Sequence, residues 1–424
     1  MINSLPEELL KASIAGANKK MIAQKVDAIN YCRKLAQIDP KSKMWKKIAA
    51  LEIDSSLILP GIPEIGNIKD EPWLDEWAGY MEINETRITT YLGEDLQSAG
   101  VVFQDIASAI ANDENRIEKT LKDSLEKSTE RMDAIALGTA DHGLFLSIPE
   151  GLCVEKPFKV TVDISGKTNF LSLILVSKLG NNSNAKVILE FKSDLTDNRI
   201  CFLPTNHIGN VGNNSELELI EIQDLQKSCF FFPNEKIEVG ENAVLNRFFL
   251  DKGSLATRRT FSADLNHKNG SGTVTGIYYP KGDQTFLYDT QQNHKASNTR
   301  STLLFKGVLD NAAYALWKGN IFVAEGIRGA DGYQLSNTLL LDPAAHAESI
   351  PGLEISTDDV KCSHGVTISS VDKDQLFYLQ TRGIGKAEGK NLIVDGFIRS
   401  AISRIKSIEL QEYVKGNLDE AEPV

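Results

Sequence analysis

The chain is poor in cysteine, histidine and aromatic residues, and it has no long apolar run. Its five cysteines, Cys32, Cys153, Cys201, Cys229 and Cys362, are odd in number and dispersed, with no CxxC pair. A disulfide framework or a zinc ribbon needs closely spaced, even sets, so neither is expected, and the pattern suits a reducing cytosol. The longest apolar stretch, Phe170 to Val176, falls far short of the roughly 18 residues a membrane helix needs. Residues Met1 to Glu8 lack a basic n-region and an apolar h-region, so no signal peptide is read. The expectation is a cytoplasmic protein without a membrane partner. Basic residues are also outnumbered: 46 Lys and Arg against 58 Asp and Glu give a net charge of -12. That balance repels a phosphate backbone and argues against nucleic acid as a partner. No GxSxG or HExxH occurs, and the six histidines (His142, His207, His267, His294, His346 and His364) are scattered. Hydrolase and metalloprotease chemistry therefore lose their usual signatures.

What is present is an ordinary globular composition, 42% hydrophobic and 25% charged over 424 residues. At about 150 residues per domain this allows two or three domains, or one elongated core with appendages. The pattern up to about residue 140 is helical. Lys11 to Gln37 is rich in Ala, Lys, Ile and Gln, and Asp105 to Met132 places Ile106, Ile110, Ile117, Leu121 and Leu125 on one amphipathic face. Between them, Leu57 to Ile68 is broken by prolines and glycines and reads as a loop or short extended segment.

From about residue 144 the period becomes two: Leu144, Leu146 and Ile148, then Val187, Leu189 and Phe191, then Leu217 and Leu219. Turns rich in Asn, Gly or Ala precede many of these strands, as at Asn181 to Ala185, Gly212 to Ser215, Gly240 to Ala243, Asn269 to Gly272, Asp310 to Ala313 and Pro343 to Ala345. They recur about every thirty residues with no helix-length segment between them. That recurrence predicts a mainly β fold with a parallel β-helix, or solenoid, as its core. A β-sandwich with irregular loops is the competing reading. After Gly383 the helical period returns through Ile393, Phe397, Ala401 and Ile405, and the acidic end, Asp419 to Glu422, is expected to fray. The predicted organisation is an N-terminal helical domain over 1–140, a β-helix core over 141–380 and a C-terminal helical region over 381–424.

The tightest cluster of reactive side chains is Asp358-Asp359-Val360-Lys361-Cys362-Ser363-His364-Gly365. Residues two apart on a strand share a face, so Cys362 and His364 would present a thiolate and an imidazole side by side. Sulfur with nitrogen is a donor set suited to iron–sulfur species, zinc or copper. Two donors do not complete a tetrahedral site, so any metal needs ligands from another coil or another chain. The same residues also read as a buried cysteine beside a hydrogen-bonded histidine. Gly166-Lys167-Thr168 lacks the glycine five residues earlier that a phosphate loop requires, so no nucleotide is expected on this chain. A solenoid carbohydrate-active enzyme using Asp358 and Asp359 is the alternative from another class. Adjacent aspartates on a strand point to opposite faces, however, and make a poor acid/base pair.

The run Leu353-Glu354-Ile355, Asp358 to Thr367, Asp374-Gln375-Leu376-Phe377-Tyr378-Leu379 and Arg382-Gly383-Ile384 resembles the C-terminal signature of the SufB/SufD family of iron–sulfur cluster assembly proteins. The likeness extends upstream through Lys306-Gly307, Gly319-Asn320-Ile321 and Asp331-Gly332-Tyr333-Gln334, and covers about residues 140 to 400. Cys362-Ser363-His364-Gly365 stands where SufB chains read Glu-His-Glu, which favours the SufD side of the pair. Around Trp45 the chain reads Lys41-Ser42-Lys43-Met44-Trp45-Lys46-Lys47 and departs from the family's usual run. The resemblance implies a right-handed parallel β-helix flanked by helical domains and a non-catalytic scaffold role. It also implies pairing with a SufB-like subunit and docking of the SufC-like ATPase through the C-terminal helices. An iron–sulfur cluster would be held transiently at the interface, with His364 as the associated residue and Cys362 its neighbour. A homodimer in which His364 meets its symmetry mate is the variant of that reading.

Overall fold

In the computed structural model the described residues are 22–49, 64–68, 71–84, 86–112, 114–128, 130–140, 142–165, 170–195 and 200–419. The segment Gly166-Lys167-Thr168, the first part of the predicted helix from Lys11, most of the Leu57 to Ile68 segment and most of the acidic end lie outside them. From His142 onward the chain lays successive strands alternately into two sheets. Between the ends, each strand pairs in parallel with the strand two before it and the strand two after it; with the earlier strands added at the first coil, one sheet holds eleven strands and the other nine. This is the expected parallel β-solenoid, with helices at both ends of the chain. Among the described residues no helix is long and apolar enough to cross a membrane.

The alternation that marked the strands is what fills the core. Leu173 and Leu175 point inward from one strand, and Leu217, Leu219, Leu245 and Phe249 from others, all fully or nearly fully buried in one continuous cluster. The turns explain the asparagines. Asn182, Asn214, Asn242, Asn269, Asn298 and Asn311 all adopt φ between 53° and 59°, the left-handed region that asparagine tolerates better than other residues bearing a Cβ. The side chains of the first four stack as a ladder: Asn214 Nδ2 donates to Asn182 Oδ1 at 3.1 Å, Asn242 to Asn214 at 3.0 Å and Asn269 to Asn242 at 2.8 Å. The turn repeat visible in the sequence is therefore a hydrogen-bonded column that fixes the stacking register.

Both sheets are apolar on their outer faces too, and helices cover them. Ile110, Ile117, Leu121 and Ile135 of the N-terminal helices pack on Ile174, Val176, Phe202 and Phe230 of the nine-stranded sheet. Val394, Ile398, Ala401 and Ile402 of the helix Lys386–Ile402, with Val414 of Ile408–Asp419, pack on Ile220, Phe248 and Leu304 of the eleven-stranded sheet. The helical reading of the first 140 residues missed the strands Gly79–Asn84, Arg87–Leu92 and Val102–Asp105. Two of their pairings are antiparallel, Gly79–Asn84 with Arg87–Leu92 and Val102–Asp105 with His142–Ile148, and these strands cap the first coil.

The core is not wholly apolar. Arg247 donates to both Glu235 oxygens at 2.7 Å and to Glu221 at 2.6 Å, and Arg259 bridges Glu221 at 2.6 Å and Asp251 at 2.8 Å. Tyr288 donates to Asp251, and at the far end His207 meets Glu235 at 3.4 Å and Ser177 at 3.0 Å. Burial alone would raise the Glu235 carboxyl, but Arg247 and His207 outweigh it and hold the group at about 2. Removing one partner from such a network leaves uncompensated charge in a dry interior. Arg247→Leu is therefore expected to destabilise the fold by about 3–5 kcal/mol, read as a large fall in the denaturation midpoint. Lys127→Leu, which removes an exposed pair with Glu238, should shift it by well under about 1 kcal/mol. Equal shifts would refute the network's role.

Candidate functional site

The solenoid ends on an open coil. Its two strands, His346–Ile355 and Val360–Ser370, are the outermost of the nine- and eleven-stranded sheets, and among the described residues each pairs with a strand on one side only. An edge strand presents a row of free backbone N–H and C=O groups, and natural edges are usually blunted by charge, proline or bulges. Here the inward-facing positions of the last coil carry apolar side chains left partly in solvent: Leu353 and Ile355 at 38%, Val366 and Ile368 at 40%.

Cys362 and His364 sit on that edge strand, and their spacing places both on the face that looks into the solenoid. The sequence-derived pairing of thiol and imidazole thus falls on the uncovered end. Cys362 is half-buried and packs against Ile321, Val323, Ile327 and Ala330, whereas His364 is exposed. Burial pushes the Cys362 thiol above its usual range. A backbone hydrogen bond from Gly332 opposes the rise, and the charge of Asp331 adds to it. The thiol is accordingly protonated at neutral pH, and a bound cation would have to displace that proton.

Beneath each donor runs a register column. Ser301, Gly332 and Cys362 stack on successive coils, as do Leu303, Gln334 and His364. Gln334 is fully buried and donates to the Gly352 carbonyl at 3.0 Å, while its Oε1 has no hydrogen-bond partner among the described residues. His294, also fully buried, approaches the first column from the opposite sheet, with Nε2 2.8 Å from Ser301 Oγ and Nδ1 2.8 Å from Thr299 Oγ1. Burial pushes this imidazole down to about 4, so it is neutral. The sequence reading counted His294 among the scattered histidines. Its link to Cys362 appears only once the register Ser301, Gly332, Cys362 is known.

Other residues named from the sequence lie elsewhere. Asp358 and Asp359 are exposed in the bend before the last strand, with the Asp359 carbonyl accepting from Gly329 N–H. Among the described residues no three of His, Cys, Asp and Glu converge as a ready metal cluster. The predicted helical face divides. Ala401 and Ile405 are buried against the sheet, while Ile393 and Phe397 are half-buried. These last two line a groove of about 880 Å³ with Leu339, Tyr378, Leu379 and Leu392. Of its lining Tyr378 is 57% exposed, and the neighbouring Phe377 of the helix Lys373–Thr381 is 67% exposed.

Residues 164–397 match the family model described as SUF system FeS cluster assembly, SufBD core domain. The chain is similar to the iron–sulfur cluster assembly protein SufD of Bacillus subtilis (strain 168), 25% identical over 333 residues covering 77% of this chain and 75% of that one. It is similar to SufD of Escherichia coli (strain K12), 27% identical over 245 residues covering 58% and 57%. It is also similar to SufB of Bacillus subtilis, 22% identical over 407 residues covering 93% and 83%. With more than half of its length matched by the core-domain model, the chain belongs to the SufBD family of the SUF iron–sulfur cluster assembly system.

Proposed function

We propose that this chain is a non-catalytic scaffold subunit of a cytosolic SUF-type complex. It pairs through its open last coil with a SufB-like subunit and holds a nascent iron–sulfur cluster transiently at that seam through His364 and Cys362. ATP hydrolysis falls to a SufC-like ATPase docked on the C-terminal helices. The observation that carries this reading is the coincidence, on one uncovered strand, of the sulfur and nitrogen donors with a free backbone edge and partly exposed apolar side chains. A coil of a related solenoid laid on that edge would satisfy the backbone groups and bury the apolar positions. It would also bring further ligands to donors that are too few alone.

The groove supports the second half of the reading. Phe377, Tyr378 and Leu392 keep large apolar surface in water, and a partner would cover it at little cost to this chain. The reading therefore favours this exposed apolar surface over Ala401 and Ile405, which their own sheet already occupies.

Three outcomes are expected. The double variant Val366→Lys with Ile368→Lys should remain folded, because both positions are solvated in the free chain, yet lose co-elution with the SufB-like subunit. Retained pairing would refute the seam, and a parent chain that sediments as a dimer by itself would favour the homodimeric form. His364→Ala should lower the iron and sulfide retained by the reconstituted complex while leaving the thermal midpoint within a few degrees; normal cluster content would sink the assignment. Tyr378→Asp should weaken ATPase binding at least tenfold without unfolding the chain, and unchanged affinity would exclude the groove.

A further inference from the structure

Two of the cysteines that are dispersed in the sequence meet in the fold. Cys201 opens the strand Cys201–Val211 and Cys229 opens the strand Cys229–Val239, and the two are direct register partners on neighbouring parallel strands of the nine-stranded sheet. Both are fully buried and belong to the continuous core cluster. Neighbouring parallel strands lie about 4.8 Å apart, inside the roughly 4.4–6.8 Å between Cα atoms that a disulfide spans. In-register side chains on one face run alongside each other, and these two thiols hydrogen-bond to one another. A turn of each about its Cα–Cβ bond would bring the sulfurs into contact without moving the backbone between coils.

The surroundings favour reaction at Cys229. Ser193 Oγ lies 3.6 Å from its sulfur and accepts from the Gln226 N–H at 2.8 Å, so the serine's own hydrogen is available to the sulfur. The hydrogen bond with Cys201 is the largest influence on the Cys229 thiol, which is held below its usual range. Burial opposes that influence, and Ser193, Ser228 and the Gln226 backbone add to it. The thiolate is the form that attacks an oxidant, so these bonds prepare the nucleophile. The pair also sits at a corner of the coil, at the first residue of each strand. Ser193, Gln226 and Ser228 are half-buried there, and Asp194 and Lys227 are exposed. The Cys229 sulfur is therefore one side chain away from solvent, a distance that a molecule the size of water can cross when the corner opens locally.

We propose that Cys201 and Cys229 form a two-electron redox site, closed to an intrachain disulfide by hydrogen peroxide and reopened by a dithiol reductant. The Cys229 thiolate attacks the O–O bond, keeps one oxygen as the sulfenic acid and releases hydroxide. The Cys201 thiol then displaces that oxygen: the S–S bond forms, the S–O bond breaks, and the departing hydroxide takes the Cys201 proton as water. Two thiols and one peroxide thus give one disulfide and two waters. In the reverse direction the dithiol is oxidised to its own disulfide and both cysteines are recovered. The closed bond staples two consecutive coils at their corner. It lies several strands away from the open last coil, so it does not involve Cys362 or His364 and does not rest on the scaffold role proposed above.

The test is peptide mapping by mass spectrometry without reduction. The folded full-length chain is treated with hydrogen peroxide, its remaining thiols are alkylated in denaturant, and circular dichroism follows the fold during oxidation. Two peptides joined through Cys201 and Cys229 should appear, lighter by two hydrogens than the separate pair, and dithiothreitol should restore both thiols. Cys201→Ala should stop the reaction at a sulfenic acid on Cys229, captured by dimedone. The map of the parent decides the matter even where that variant fails to fold. Three results would overturn the inference: no joined peptides at peroxide levels that fully oxidise the exposed Cys153, a bridge that forms only in urea, or Cys229 joined to a different cysteine.

Discussion

Everything in this molecule depends on in-register stacking. Neighbouring strands of a parallel sheet lie about 4.8 Å apart, so each inward side chain rests on its counterpart one coil below and under its counterpart one coil above. A polar side chain in that dry interior has to find its partners among those two neighbours and the facing sheet. In the middle of the solenoid the buried carboxylates do. Glu221, Glu235 and Asp251 come from different strands and are met by Arg247 and Arg259 from the adjacent coils. At the last coil the rule breaks, because one of the two neighbours is missing. Cys362, His364, Val366 and Ile368 are inward-facing residues without a coil above them, and that is why donors and apolar surface remain available together.

The same constraint sets how much was legible in the sequence. Alternation such as Val187, Leu189, Phe191 reports a local fact, the direction of neighbouring side chains, and it carried the strands. The asparagine turns report a second local fact, the left-handed backbone at Asn182, Asn214 and Asn242, and their recurrence carried the solenoid. The buried charges were illegible because alternation assigns polar residues to solvent. Arg247 and Arg259 face inward, and their carboxylate partners are set by register between coils, which no short window contains. His294 was missed for the same reason. The strands between Gly79 and Asp105 escaped because they are short and mix Thr and Tyr with glycine, so the helices that follow dominated the pattern.

The C-terminal helices tie the two proposed surfaces together. Lys306 on the eleven-stranded sheet reaches Ser400 Oγ at 2.6 Å and the Phe397 carbonyl, and it stacks on the Phe397 ring. Lys159, paired with Glu190 at 3.0 Å, lies over the rings of Trp77 and Tyr413 and holds the final helix against the first coils. The helical region is thereby fixed along the sheet, and its groove includes Ser369 and Ser370, the end of the strand that carries His364. At about 3.3 Å per residue, His364 lies about 20 Å from the groove along one continuous strand. A partner bearing on the groove would press on the same edge that the seam uses, so the proposed ATPase docking would have a direct mechanical route to the proposed donors.

The proposed transience would follow from the chemistry of the donors themselves. A closed site with four ligands and depressed thiol pKa values holds its metal tightly, since each thiolate is already prepared. Cys362 is the reverse case: burial among Ile321, Val323 and Ala330 favours the neutral thiol, so every binding event has to expel a proton and every release recovers one. Binding to such a donor strengthens as pH rises and weakens as it falls. With one raised-pKa sulfur, one imidazole and an end open to a partner, the coil is suited to receiving and surrendering cargo rather than keeping it. A fully enclosed copy of the same residues, one coil deeper, would have their lone pairs occupied by neighbours, as His207 has Ser177 and Glu235. The position at the terminus is what would leave an ordinary cysteine and histidine available for the proposed role.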